Sequence, residues 1–343
     1  MMSTPSSITK ATIIALIIIL SFGLTGCAPQ PKKDDSTVTL TNVSYDPTRE
    51  FYTAYNALFS EHWAQESGRT VDVTQSHGGS GSQAMSVTQG LEADVVTLAL
   101  EGDVQAVADA GLIDEGWINE FSADSAPYTS AIVFLVRKDN PKNILDWNDL
   151  IRDDVGVITP NPKTSGGARW NFLAAWAYAE KHYQDEDQMS EFLKSIFENV
   201  LVLDAGARGS TTSFVENKQG DVLLAWENEA YLTLKEHAGD YEIIAPSVSI
   251  LCKPSVAVVD DIVKKRGTAD VAAAYLSYLY SDEAQRLAAT HFYRPSNADI
   301  LSEYTELFDM TIEMTDIAHF GGWKAAQAKF FSDGGIFDKI YER

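Results

Sequence analysis

Five short stretches of the sequence concentrate groups that donate hydrogen bonds. Asp46-Pro47 pairs a good helix N-cap with the residue best suited to the first helical position. Gly78-Gly79-Ser80-Gly81 lets the backbone turn sharply and approach a ligand closely. Thr164-Ser165-Gly166-Gly167 precedes a long helical pattern, and Gly206-Ala207-Arg208-Gly209 follows an apolar run. Trp226 ends another apolar run, and its indole N–H can only donate. N–H and O–H groups gathered near helix N-termini suit an oxyanion, because the helix end carries partial positive charge and unpaired amides. A Gly/Ser loop before a helix is, taken singly, an ordinary turn. Five of them in the same setting are not.

What is missing narrows the chemistry. There is no GxGxxG, no GxxxxGK[ST] and no GxSxG. The six histidines form no HExxH or comparable ligand pair, so no metal or cofactor is expected. His77 beside Ser80 or Ser165 is the only combination resembling a base and a nucleophile. No serine elbow accompanies it, so His77 is expected to be a turn or packing residue.

The elements that must position these loops alternate. Apolar, β-branched runs recur at 37–43, 70–74, 93–100, 130–136, 155–158, 200–203, 221–226, 241–245 and 255–259. Between them lie helical patterns. Phe51, Tyr55, Leu58 and Phe59 share a face, as do Phe172, Leu173 and Trp176, and Ala272, Tyr275, Leu276 and Leu279. These aromatics are read as core. The alternation predicts an α/β fold, whose ligands sit beyond the carboxyl ends of the strands. All five donor loops fall there.

The chain has 343 residues, enough for about two domains, and 45% of them are apolar. Net charge is −23, which argues against binding a polyphosphate. An apolar run at 11–20 follows Lys10 and leads to Leu24-Thr25-Gly26-Cys27. The run is short for a bilayer span and fits a signal peptide, removed before a lipidated Cys27. A plain signal peptide or an anchor with an incidental cysteine is the alternative. Loss of residues 1–26 would leave 317 residues with net charge −24, tethered through 27–35. Cys252 would then have no intramolecular partner, and it is expected to be a small buried side chain.

Several long motifs carry a resemblance. NVSYDPTRE (42–50), QSHGGSG (75–81), ITPNPKTSGGARWN (158–171), DAGARGS (204–210), AWENE (225–229) and FYRP (292–295) resemble the sulfate-binding proteins of bacterial ABC-type importers. The likeness runs from about Val38 to Arg343. It implies a two-lobe periplasmic-binding-protein fold of type II, with the ligand cleft between the lobes. The expected partition is 36–135 plus 248–343 for lobe 1 and 136–247 for lobe 2, with crossings near 130–138 and 241–256.

By motif, the resemblance implies seven sulfate-binding residues. They are the backbone N–H of Asp46, the Ser80 hydroxyl, Ser165, Gly166 and Gly167 mainly through backbone N–H, the N–H of Ala207 and the indole of Trp226. Arg169 and Arg208 are expected to stand behind the loops, pairing with Asp46, Asp204 or Glu227. The implied function is a non-enzymatic, monomeric extracytoplasmic receptor, in the periplasm or at the cell surface. It would deliver sulfate, with thiosulfate as a second ligand, to an ABC-type permease. A binder of another tetrahedral oxyanion such as molybdate, and an extracytoplasmic Ser/His hydrolase, are the alternatives. The acidic surface would serve solvation, with affinity local to the cleft.

Overall fold

The computed structural model describes residues 37–341. The expected signal peptide, tether and lipidation site at Cys27 lie outside the described residues. All nine expected runs form strands, and they assemble into two sheets. A four-stranded sheet has the order Ser255–Val258, Val95–Leu98, Thr37–Tyr45, Thr70–Gly78. Val95–Leu98 runs parallel to Thr37–Tyr45, with Val43 opposite Val96, and antiparallel to Ser255–Val258. A five-stranded sheet has the order Val200–Asp204, Val157–Pro160, Val222–Trp226, Ile132–Arg137, Tyr241–Ile244. Its first three strands are parallel, and Ile132–Arg137 is antiparallel to both neighbours.

Burial along the strands follows from this layering. Thr37–Tyr45 alternates exposed and buried residues up to Leu40 and is fully buried from Asn42 on. Val222–Trp226 and Ile132–Val136 are buried throughout, as central strands of an α/β sheet are.

Helix Arg49–Ser67 buries Phe51, Tyr52, Tyr55 and Phe59 against Tyr275 and Leu276, which confirms the aromatic face as core. Helix Gly166–His182 is different. Trp170, Phe172, Leu173 and Trp176 are all buried although they point in different directions. One side lies on the five-stranded sheet. The other is covered by the end of the chain, with Trp323 4.6 Å from Trp170, Phe331 5.3 Å from Phe172 and Phe330 4.9 Å from Trp176.

The segment from Glu313 on was expected with the first sheet's half of the molecule. Its Phe330, Phe331 and Phe337 instead join the core under helix Gly166–His182. The elements there are only three to six residues long, too short to show which face they bury.

The two sheets are linked by paired crossing segments. Ser130 and Cys252 exchange backbone hydrogen bonds of 3.0 and 2.9 Å. The Ser249 hydroxyl accepts from Ile132 N at 2.9 Å and donates to Ile132 O at 2.8 Å, replacing a strand partner there. Cys252 is buried and unpaired, and burial pushes its thiol pKa up, which suits a packing role.

Candidate functional site

Each donor loop leaves the carboxyl end of a strand and enters a helix. Tyr45 ends its strand, and Asp46–Thr48 begins a short helical turn. Gly79 caps helix Ser80–Thr88. Ser165 caps helix Gly166–His182, its Oγ accepting from Ala168 N at 3.4 Å. Gly206 caps helix Ala207–Val215, and Trp226 precedes helix Glu227–Glu236.

The loops from the two sheets meet. Tyr45, Asp46, Gly78, Gly79 and Ser80 from one side and Ser165, Gly167 and Ala207 from the other line one small cavity. Gly166 sits between two of these residues, close against Ala99 and Ser80. Trp226 lies behind Gly167, and its ring is 5.3 Å from that of Tyr45. The Trp226 indole nitrogen is buried and has no partner within the protein. It would lie 3.0 Å from a Cβ added at Gly167. So six of the seven residues expected from the motifs border the cavity or stand directly behind it, and Gly166 completes the helix start.

The structure corrects how two of them donate. Ser80 borders the cavity, but its hydroxyl donates to Asp103 Oδ2 at 2.6 Å and accepts from Ala99 N at 3.0 Å. That proton is committed. What Ser80 can offer is its backbone N–H, at the first position of a helix where no intrahelical acceptor exists. Ser165 is the reverse case. Its backbone N–H donates to Asn161 O at 2.9 Å, so the backbone role expected for it is filled. Its hydroxyl oxygen accepts the capping bond, which leaves the hydroxyl proton to donate. Left free to donate are the first-turn amides of Asp46, Ser80, Gly166, Gly167 and Ala207, the Ser165 O–H and the Trp226 N–H.

The arginines also find partners other than those expected. Arg169 pairs with Asp103 at 2.9 Å and donates to Pro162 O at 2.9 Å. Arg208 donates to Glu50 at 2.9 Å and contacts Glu229 at 3.4 Å. Glu227 is held by Arg294, through Nε at 2.7 Å and Nη2 at 2.9 Å, instead of by either loop arginine. Asp46 faces Arg49 at 3.6 Å. Neither Arg169 nor Arg208 borders the small cavity.

Three of these pairs, Arg169–Asp103, Arg208–Glu50 and Arg294–Glu227, share one feature. Asp103, Glu50 and Arg294 belong to the four-stranded side, and Arg169, Arg208 and Glu227 to the five-stranded side. The ion pairs therefore tie the two sides together around the cavity. Sequence alone gave no sign of Asp103, Glu50, Glu229 or Arg294 in these roles, because each pair joins residues at least 66 positions apart except Arg208–Glu229.

Burial shifts the carboxyls near the cavity. It raises the pKa of Asp46 against the opposing pull of Arg49 and Arg208. It raises Glu229 to about 7, with Arg208 pulling down and Glu50 pushing up. His77 is pushed down by burial, and its Nδ1 faces Tyr45 O at 3.2 Å and Thr48 Oγ1 at 3.5 Å. Its recorded partners include neither Ser80 nor Ser165, and no group of three or more metal-ligating side chains occurs among the described residues.

A family model for bacterial extracellular solute-binding proteins matches residues 40–294. The chain belongs to this family. It is 58% identical over 308 residues to a sulfate-binding protein of Salmonella typhimurium, covering 89% of this chain and 94% of that one. It is 46% identical over 304 residues to a thiosulfate-binding protein of Pseudomonas aeruginosa, covering 88% and 92%. Among solved structures, the sulfate-binding protein SubI from Mycobacterium tuberculosis H37Rv superposes with a TM-score of 0.79 at 31% identity, covering 86% of this chain and all of that one. The two-sheet architecture is thus that of the family's two-lobe binding proteins. No helix among the described residues is long and apolar enough to cross a membrane.

Proposed function

We propose that this protein is a lipid-anchored extracytoplasmic receptor that captures sulfate, and thiosulfate as a second ligand, and delivers it to an ABC-type permease. The observation that carries the reading is the donor set. Asp46, Ser80, Ser165, Gly167 and Ala207, from four loops and both sheets, line one cavity, and the buried, unpartnered Trp226 N–H stands behind Gly167. Sulfate is a dianion at neutral pH that accepts hydrogen bonds and donates none. Neutral donors and helix N-termini stabilise it without a directly bound cation. The lobes are the halves built on the two sheets, with the segment from Glu313 on belonging to the second. The ion pairs between them close the cleft over the ion. Release follows when the permease draws the lobes apart. Cys27 carries the anchor, which keeps the receptor near its transporter.

Discrimination against phosphate tests the site directly. Hydrogen phosphate brings one O–H that needs an acceptor. The groups proposed to hold the ion are all N–H or O–H donors, and Asp46 turns its carboxylate to Arg49. An O–H forced against a donor leaves two groups unpaired at about 1–3 kcal/mol each, at least about 2 kcal/mol together, so phosphate is expected to bind at least tenfold more weakly than sulfate. Calorimetric titration of ligand-stripped residues 36–343 measures both. A phosphate affinity within tenfold of that for sulfate would sink the donor-only site.

Catalysis is not part of this function. Replacing His77 by alanine is expected to leave the sulfate dissociation constant within about threefold, since the ring packs against Tyr45 O behind the cavity. Sulfate binding lost together with hydrolysis of a sulfate ester would instead make His77 a working base.

A further inference from the structure

A second cavity lies behind the anion site. It has a volume of about 10 Å³ and shares Gly167 and Ala207 with the first. Asn171, Ser210, Trp226 and Glu229 stand among its other walls. Asn171 and Ser210 are 3% and 0% exposed. The Asn171 amide is fixed in one orientation, because its Nδ2 donates to Thr159 Oγ1 at 3.0 Å and to Leu224 O at 3.1 Å. Its Oδ1 is left buried with no partner, and so is Ser210 Oγ. Two buried polar atoms without partners on the wall of one cavity are costly unless something bridges them. The volume matches the ~10–15 Å³ that a single water needs, and a water needs two to four polar partners.

We infer that one buried water is built into this cavity, bonded to Asn171 Oδ1 and Ser210 Oγ, and that it forms the back wall of the anion site. It donates to the Asn171 carbonyl and exchanges a hydrogen bond with the Ser210 hydroxyl. The inference rests on the proposed function and adds a specificity device to it. Thiosulfate replaces one oxygen of sulfate by a larger sulfur on a longer bond. Any ligand of that size that sits against Gly167 and Ala207 presses on the water-filled wall. A firmly held water therefore favours sulfate, and a loosened one opens room for thiosulfate. Neither Ser210 nor Asn171 borders the anion cavity. They set the preference through the water.

The test has two arms. A crystal structure of the wild-type sulfate complex at a resolution that shows ordered solvent is expected to place one water within hydrogen-bond reach of both Asn171 Oδ1 and Ser210 Oγ. Calorimetry of wild type and Ser210→Ala with each ion is expected to shift the ratio of thiosulfate to sulfate affinity about tenfold toward thiosulfate. Ser210→Thr, which adds a methyl group to the cavity, is expected to shift it the other way. A cavity without that water, or a ratio unchanged within twofold in Ser210→Ala, overturns the inference. The wild-type map decides even where a variant fails to fold. Wild type that binds neither ion would overturn the functional reading instead.

Discussion

Gly79→Ala is expected to weaken sulfate binding by about 10- to 100-fold while leaving the ligand-free protein as stable as wild type. A Cβ at Gly79 would stand 2.7 Å from Thr164 O and 2.9 Å from Ala205 O. Both are backbone atoms on the loops of the other half, so neither can swing aside as a side-chain tip would. Gly79 has φ −61° and ψ 131°, an ordinary backbone conformation for alanine, so the substitution strains nothing locally. The penalty falls only on the arrangement in which the two halves touch. If the halves separate without ligand, as the proposed transport cycle requires, the extra methyl meets nothing in the open state. It acts as a wedge against closure. Calorimetry gives the affinity, and thermal unfolding without sulfate gives the stability. Gly206 offers a parallel case, since a Cβ there would lie 2.5 Å from Asp46 Oδ2 and 3.6 Å from Gly79 Cα. Unchanged affinity in Gly79→Ala would mean that the ion is held without this approach of the two loops.

That three glycine-rich loops must touch across a cleft was not visible in the sequence, although the loops were. The nine strands were legible because each is a β-branched run bounded by breakers, and a central strand needs no more signal than that. The donor-bearing loops were legible because strand ends and helix caps are local features. What failed was mostly what is decided by contacts between segments, and in one case by the closing of a single turn. Which proton Ser80 donates depends on Asp103, 23 positions on. Which amide Ser165 has left depends on a turn closed by Asn161. Arg169 and Arg208 were expected to pair with Asp46, Asp204 or Glu227, yet Asp103 and Glu50, which they pair with, come from the opposite half of the molecule. The placement of the chain end failed for a related reason. Phe330, Phe331 and Phe337 carry no periodicity that says which core they will join. The unsatisfied aromatic side of helix Gly166–His182 decides it.

The Arg294–Glu227 pair is the contact between halves whose loss should cost most in stability. Arg294 is 5% exposed and Glu227 2%, and the guanidinium reaches both carboxylate oxygens. Arg294 also donates to Asp309 O at 3.0 Å and lies over the Phe308 ring. Burial raises the Glu227 pKa, and the hydrogen bond and charge of Arg294 pull against that rise. Arg294→Met keeps most of the volume and leaves the carboxylate buried alone in the closed form, which costs about 3–5 kcal/mol in denaturant unfolding of the sulfate-saturated protein at neutral pH. The variant should also acquire a signature that simple loss of packing would not give. Without Arg294, the folded-state pKa of Glu227 rises further above its unfolded value. The folded form then binds more protons than the unfolded form, so stability falls with rising pH and recovers as pH drops through the raised pKa. Stability measured from pH 8 down to pH 5 is therefore expected to climb in Arg294→Met relative to wild type. Adding Glu227→Gln should remove that slope and return part of the loss, since a neutral amide is far less costly to bury than a charge. A flat difference between Arg294→Met and wild type across this range would mean that water reaches Glu227 once the arginine is gone, and that the pair's contribution lies in packing.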